Sequence, residues 1–238
     1  MSNDGVVAVE RALSVLDCFK PGAERLSLAD FDARLPLHKT TIFRLLNSLA
    51  RCGYVVREPD GRYALGPRVL YLGRVYERSF NLSNVVMPVL ERLSAQTGES
   101  AAYYVEAGQD GHRLCLFRHQ PHEGLHSQVL AGSVMPPDES STGRVFQVWG
   151  QLKGRGGERL PFFSCGKRDP YTSSWSVPII GDEDRFVGAL TVAGPSERLK
   201  NADAPYVESL ILAAADALSG RMGASADMRE SLYGPPRG

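Results

Sequence analysis

The stretch Leu26 to Leu65 changes its hydrophobic period within a few dozen residues, and this constrains the fold of the 238-residue chain more than any other feature. Leu28, Phe31 and Leu35 recur at helical spacing behind Ser27. Asp30 stands three residues after Ser27, a capping-box-like start in which each side chain satisfies the other's backbone N–H. Pro36 ends this short helix. Ile42, Leu45, Leu46 and Leu49 then fall at i, i+3, i+4 and i+7 within Lys39 to Arg51, so a second helix carries one apolar face. The gap between the two helices permits only a sharp turn. Tyr54, Val55 and Val56 lead into Glu58-Pro59-Asp60-Gly61 and out through Arg62, Tyr63 and Ala64, and Asp-Gly supplies the positive backbone angles of a tight hairpin. Helix, turn, helix and hairpin in this order predict a winged helix-turn-helix, which lays its second helix in the major groove of DNA.

The face of that helix opposite its leucines presents Thr40, Arg44, Asn47 and Arg51, with Phe43 at its edge and Lys39 and Thr41 in the first turn. Arginine forks onto guanine and asparagine onto adenine, so Arg44 and Asn47 are the candidate base readers. The remaining groups are suited to phosphates. Arg57 and Arg62 flank the hairpin turn, within reach of the DNA backbone or a minor groove. A merely solvated helix face is the plain alternative, and the neighbouring turn and hairpin weigh against it.

Length and composition fit two cores. The chain is 43% hydrophobic, with a formal net charge of +0 and a sequence pI near 7.0, unlike a non-specific nucleic-acid coat. The basic residues Lys39, Arg44, Arg51, Arg57 and Arg62 nevertheless gather on one module. No apolar run is long enough to span a bilayer, and Met1 to Val7 lacks the pattern of a signal peptide, so a cytoplasmic location is expected. The 4 cysteines, Cys18, Cys52, Cys115 and Cys165, show no Cys-x-x-Cys spacing and suit reduced structural thiols.

Elsewhere the periodicity predicts helices over Val7 to Phe19, Val69 to Arg78, Val85 to Thr97 (with Pro88 in its first turn), Thr142 to Leu152 and Asp203 to Ser219. Strands are expected at Ala101 to Ala107, Arg113 to Arg118 and Leu125 to Ala131. A hairpin of Trp175 to Ile180 and Phe186 to Ala193 should turn at Gly181-Asp182-Glu183-Asp184. Met222 to Gly238, rich in proline and glycine, reads as a loose tail.

The blocks Ala12 to Leu16, Leu26-Ser27-Leu28, Leu37 to Leu46, Gly53-Tyr54 and Gly61 to Gly66 resemble the amino-terminal domain of the IclR family of bacterial transcriptional regulators. Pro36 and His38 depart from the glycine and proline common in that turn. Ala131-Gly132, Met135-Pro136-Pro137, Ser140 to Arg144, Val177-Pro178 and Gly188 to Pro195 resemble the family's GAF-like effector domain. The resemblance implies an α+β chain. Residues 1–66 would form the winged helix-turn-helix domain and residues 67–84 a linker helix that pairs two subunits. Residues 85–220 would form a GAF-like α/β effector domain with a mixed sheet, and residues 221–238 a flexible tail. It also implies an effector pocket of Met135, Ser141, Thr142, Gly143, Ser174 and Thr191, with Tyr104, Leu116 and Trp175 as apolar walls. N–H groups at the start of the Thr142 helix and nearby hydroxyls would receive a carboxylate. Capping by Ser140-Ser141-Thr142 alone is the plain alternative. The segment Gln151 to Ser164 is shorter than in relatives, so the effector domain is a shortened one.

These readings converge on a ligand-responsive regulator. It would be a repressor of a catabolic operon, binding promoter DNA as a homodimer, or as a tetramer, and responding to an aromatic or other small organic acid without a cofactor. A transcriptional activator is the alternative, as is a metal- or redox-sensing regulator using Cys115 or Cys165. Cys115, His119, His122 and His126 have metal-ligand chemistry, but residues straddling a strand and a turn need not converge. An enzyme is the least favoured class. Ser140, Ser141 and His119 occur without a Gly-x-Ser-x-Gly elbow, a His-Glu-x-x-His helix or a phosphate loop.

Overall fold

The computed structural model describes residues 5–20, 22–79, 82–108, 111–121, 129–150 and 159–234. The chain forms two compact units, Met1–Phe80 and Asn81–Gly238. Among the described residues no helix is long and apolar enough to cross a membrane.

The first unit contains α1 (Val7–Leu16), β1 (Arg25–Leu26), α2 (Leu28–Arg34), α3 (Lys39–Arg51), β2 (Val55–Arg57), β3 (Tyr63–Leu65) and α4 (Pro67–Ser79). The capping box forms as its spacing predicts. Ser27 N–H donates to Asp30 Oδ2 at 2.7 Å, and Asp30 N–H donates to Ser27 Oγ at 3.3 Å. Leu35, held extended by Pro36, ends α2. Val15, Leu26, Phe31, Ile42, Leu46, Val55 and Tyr63 bury themselves in one core, joined by the sulfur-bearing side of Cys18. Burying each large side chain contributes roughly 1.5–3 kcal/mol, which is what holds a unit this small together. The wing pairs Val55 with Leu65 and Arg57 with Tyr63, both antiparallel. The sequence did not anticipate β1, which adds a third strand through Arg25–Ala64 and Leu26–Tyr63 pairing.

Gly66 closes the wing. Its N–H donates to the Tyr54 carbonyl at 2.7 Å, and a Cβ there would run into the carbonyl of Gly53. Because the obstacle is backbone, Gly66→Ala should destabilise the first unit by about 1–3 kcal/mol or more. Thermal unfolding followed by circular dichroism checks this, and an unchanged transition would mean that the crossing can relax.

The second unit contains α5 (Leu82–Thr97), β4 (Ser100–Glu106), β5 (Arg113–His119), β6 (Val134–Met135), α6 (Ser141–Trp149), β7 (Phe162–Cys165), β8 (Thr172–Ile180), β9 (Phe186–Pro195), α7 (Ser196–Asn201), α8 (Ala204–Arg221) and α9 (Ala226–Tyr233). One sheet runs β6-β5-β4-β9-β8-β7. Every described pair in it is antiparallel, so the expected mixture of strand directions is absent and the α/β character comes from helices on both faces. Strand alternation sorts the residues. Tyr103, Val177, Ile179, Leu190 and Val192 face α5 and α8, whereas Ala102, Tyr104, Cys115 and Ala189 face the α6 side.

Several elements differ from expectation. The α5 helix begins at Leu82, so Pro88 lies in its interior, not its first turn. The β7 strand arises where no strand was expected. The predicted strand Leu125 to Ala131 falls mostly outside the described residues, and Val129 to Ala131 is not a strand. The expected loose tail is a helix as far as Tyr233. Ser225 caps α9, Arg229 pairs with Asp216 at 2.7 Å, and the buried Tyr233 hydroxyl donates to the Pro178 carbonyl at 2.9 Å. Proline and glycine content predicted looseness, and a local cap with two contacts to distant residues overrides it.

Candidate functional site

The α3 helix buries Ile42, Leu46 and Leu49 and leaves Lys39, Thr40, Phe43, Arg44, Asn47 and Arg51 exposed, with Thr41 half-buried. Among the described residues Arg44, Asn47 and Arg51 hold no side-chain hydrogen bond or ion pair. Lys39 lies 3.4 Å from Asp32, and Arg62 lies 3.7 Å from Asp60, all well exposed, so these pairs contribute little and can be exchanged for phosphate contacts. Arg57 stacks toward the Tyr63 ring with its guanidinium 6.0 Å from the centroid. Apart from the half-buried Thr41, the predicted DNA-facing residues are exposed, on α3 and on the wing.

The second unit brings together six buried hydroxyls. Ser141 Oγ lies 2.7 Å from Ser174 Oγ and 2.8 Å from Ser176 Oγ. Thr142 Oγ1 lies 3.1 Å from Ser176 Oγ and 3.0 Å from Thr191 Oγ1. Ser164 Oγ lies 3.1 Å from Ser174 Oγ and accepts the Ser141 N–H at 2.8 Å. Beside this belt is a cavity of about 10 Å³, room for one water molecule. Its walls include Thr142, Ser174, Thr191 and Met135 of the expected pocket. Ser141 and Gly143 do not line it: Ser141 is consumed by the belt, and Gly143 lies against the Asp138 backbone with its N–H donating to Ser140 Oγ at 3.1 Å.

The expected apolar walls divide between the two faces. Tyr104 lines the cavity, whereas Trp175 and Leu116 pack on the opposite side of the sheet against the α5 and α8 core. A bulge after Tyr103 sets Tyr104 opposite Cys115 and leaves Leu116 out of register. Sequence reasoning missed Ser164, Ser176, Arg113 and Arg168. Alternation along β8 puts Ser174 and Ser176 on one face and could have found Ser176; nothing local marks Arg113.

Arg113 is the most consequential of these. Its side chain is 2% exposed, Nη1 donates to the Pro136 carbonyl at 2.6 Å, and Nη2 donates to Asp138 Oδ2 at 2.7 Å. Burial works to raise the Asp138 carboxyl, but hydrogen bonds from Ser140 and Arg113 outweigh it and hold that carboxyl below its usual value. Burial pushes the Tyr104 hydroxyl up to about 12, reinforced by the nearby Cys115 and opposed by Arg118, Arg168 and Arg113. Burial also raises the Cys115 thiol, which leaves little thiolate for redox or metal chemistry.

The metal and hydrolase constellations do not assemble among the described residues. Cys115 faces Tyr104, but His119 pairs opposite Ala101 on the other face; His122 and His126 lie outside the described residues. No group of three potential metal ligands occurs among the described residues. Ser140 caps α6 and Ser141 belongs to the belt, so neither has a histidine base.

An exposed recognition helix in a winged unit, joined to a helix-flanked sheet with a polar cavity, defines a winged-helix DNA-binding protein with a second, cavity-bearing domain. Residues 8–59 match the family model described as the IclR helix-turn-helix domain. The DNA-binding transcriptional repressor YiaJ of Escherichia coli (strain K12) is 28% identical over 148 residues, 61% of this chain and 52% of YiaJ. The Pca regulon regulatory protein of Pseudomonas putida is 32% identical over 144 residues, 60% of this chain and 48% of that protein. The matched stretch thus spans about half the length of these curated relatives. It is longer in the glycerol operon regulatory protein of Streptomyces griseus, 29% identical over 85% of this chain and 90% of that one. Among solved structures, an IclR homolog from Microbacterium hydrocarbonoxydans complexed with 4-hydroxybenzoate shares the fold. Its TM-score is 0.71 at 20% identity, covering 90% of this chain and 98% of that one. The chain thus carries an IclR helix-turn-helix domain at residues 8–59, and over most of its length it is similar in fold to solved IclR regulators.

Proposed function

We propose that the protein is a ligand-responsive, DNA-binding transcriptional repressor of a catabolic operon, located in the cytoplasm and controlled by a small organic acid. The observation that carries this reading is the exposed face of Thr40, Arg44, Asn47 and Arg51 on α3, polar and without partners among the described residues. The names of its relatives, repressors and operon regulators, support it. The 4-hydroxybenzoate complex of a structural neighbour supports an organic acid as the signal. Lys39, Thr41, Phe43 and Arg62 would position the module on the duplex. Met135, Thr142, Ser174 and Thr191 would contact the effector, with Ser141 and Gly143 shaping the wall behind them.

A homodimer suits this role, since two modules read two half-sites. The α4 helix exposes Leu70, Tyr71, Leu72, Val75 and Tyr76, an apolar surface a second subunit can cover. Effector and DNA affinities must be reciprocally linked, and a hundredfold loss of operator affinity corresponds to about 2.7 kcal/mol of coupling. Selection of bound genomic fragments by the purified protein tests the reading. The expected result is enrichment of one or a few promoters beside genes for uptake or breakdown of an organic acid. Uniform recovery of fragments would reject it.

A further inference from the structure

Two of the first N–H groups of α6 are already taken and a carboxylate sits beside them, which disfavours a second anion at this terminus. Ser140 Oγ accepts the Gly143 N–H at 3.1 Å and Ser164 Oγ accepts the Ser141 N–H at 2.8 Å. Asp138 accepts from Ser140 N–H at 3.0 Å and from Ser140 Oγ at 2.5 Å, so a carboxylate already sits at that positive end. A second anion there would meet a like charge. The expectation that an effector carboxylate docks on this helix terminus is therefore replaced by a different arrangement.

Among the described residues the charged groups on the cavity wall at neutral pH are Arg113 and Arg168, and no acidic side chain lines it. Their carboxylates stand behind them: Asp138 on Arg113 at 2.7 Å and Asp169 on Arg168 at 3.2 Å. Glu106 pairs across from Arg113 on the same strand face but lies against Gly150, away from the cavity wall. Among the described residues the Nε of Arg113, buried in the wall, has no hydrogen-bond partner. Arg118 pairs opposite Ala102 on the Tyr104 face, and its Nε and Nη2 are likewise buried without partners among the described residues. Buried guanidinium N–H groups are costly to leave unsatisfied, and a carboxylate is the acceptor that matches them in charge and geometry.

The rest of the wall is hydroxyl: Ser140, Thr142, Ser164, Thr172, Ser174 and Thr191. Only Met135, Ala193 and the Tyr104 ring are apolar. An aromatic ring pressed on this belt would strip hydroxyls of partners, which is costly for each buried group left unsatisfied, whereas hydroxyl groups of a ligand can exchange bonds with it. The cavity as it stands holds about one water, so its wall must open to admit an effector. Met135 and Arg168, both only partly buried, are the long side chains able to swing outward and admit one.

We infer that the effector of this cavity is a small hydroxylated monocarboxylate, its carboxylate against Arg113 and Arg168 and its hydroxyls on the Thr142, Ser174 and Thr191 belt. This rests on the regulator reading above and names the chemical class of its signal. Each guanidinium is already paired with an aspartate, so the wall carries no surplus positive charge that would favour a dianion over a singly charged acid.

Titration calorimetry on the full-length protein tests it, with gluconate and glycerate as hydroxylated acids and propionate, benzoate and 4-hydroxybenzoate as poorly hydroxylated ones. Glycerol serves as the neutral polyol, with tartrate and inorganic phosphate as more highly charged probes. Gluconate or glycerate should bind at least tenfold more tightly than every other probe. Arg168→Gln should weaken that binding tenfold or more with an unchanged melting profile. Thr191→Val should weaken hydroxylated acids while leaving propionate unchanged, which a general loss of folding would not do. Preference for benzoate, 4-hydroxybenzoate, tartrate or phosphate overturns the inference, as does binding of none of the probes. Promoter selection by the same preparation stands or falls separately, so failure of this assignment is distinguishable from failure of the regulator reading.

Discussion

Asp138→Ala should lower the unfolding free energy of the second unit by about 3–5 kcal/mol, because it strands the Arg113 guanidinium, 2% exposed, without its counter-charge. The carboxylate also holds Ser140 N–H and Oγ, so the α6 cap loosens at the same time. Both tryptophans of the chain, Trp149 and Trp175, lie in this unit, so denaturant unfolding followed by fluorescence reports it directly. Replacing the pair together, Arg113→Met with Asp138→Leu, should recover much of the loss, since two apolar side chains leave no buried charge. A small effect of Asp138→Ala alone would mean that water reaches the guanidinium.

The same carboxyl predicts an acid limb. Its folded-state pKa is depressed below 3.8, so its contribution to stability is fully present above the unfolded value and disappears as pH falls through the lower folded one. The midpoint of unfolding should be flat from neutrality to about pH 5 and decline below about pH 4. Asp138→Asn should remove part of that decline.

Arg44→Ala should erase much of the preference for operator over unrelated DNA, by about 1–3 kcal/mol at each half-site, while effector binding stays intact. Arg44 is exposed on the polar face of α3 and its side chain bonds to nothing among the described residues, so its truncation disturbs no core contact. Arg62→Ala, on the wing, should instead weaken all sequences alike and reduce the salt dependence by about one phosphate contact. A footprinting titration of operator against scrambled duplex at several salt concentrations separates the two. Unchanged selectivity in Arg44→Ala would remove that residue from base readout.

The winged unit was legible because each of its signals is local. Ser27 with Asp30, the proline after Leu35, the apolar spacing of Ile42, Leu46 and Leu49, and Asp60-Gly61 all act within one or two turns of chain. Boundaries failed where local propensity lost to distant contacts, as at α9, whose Tyr233 reaches Pro178 and Ser219. Four of the six expected pocket residues, Met135, Thr142, Ser174 and Thr191, line the cavity, yet Trp175 and Leu116 were assigned to the wrong face. For Leu116 the bulge after Tyr103 shifts the register, and a one-residue shift reverses which side a residue faces; Trp175 alternates with Ser174 and Ser176 and so faces away from them.

By itself, then, the sequence determined the DNA-binding module, the order of most elements and which polar residues decorate α3, since hydrophobic period and turn chemistry are properties of short contiguous segments. Tertiary structure alone decided the character of the cavity. Tyr104, Arg113, Thr142, Ser164, Ser174 and Thr191 meet only through strand pairing and helix packing across the second unit. Whether an arginine is buried against an aspartate, and whether a serine is spent on a cap or left facing a ligand, depends on partners that no local window contains.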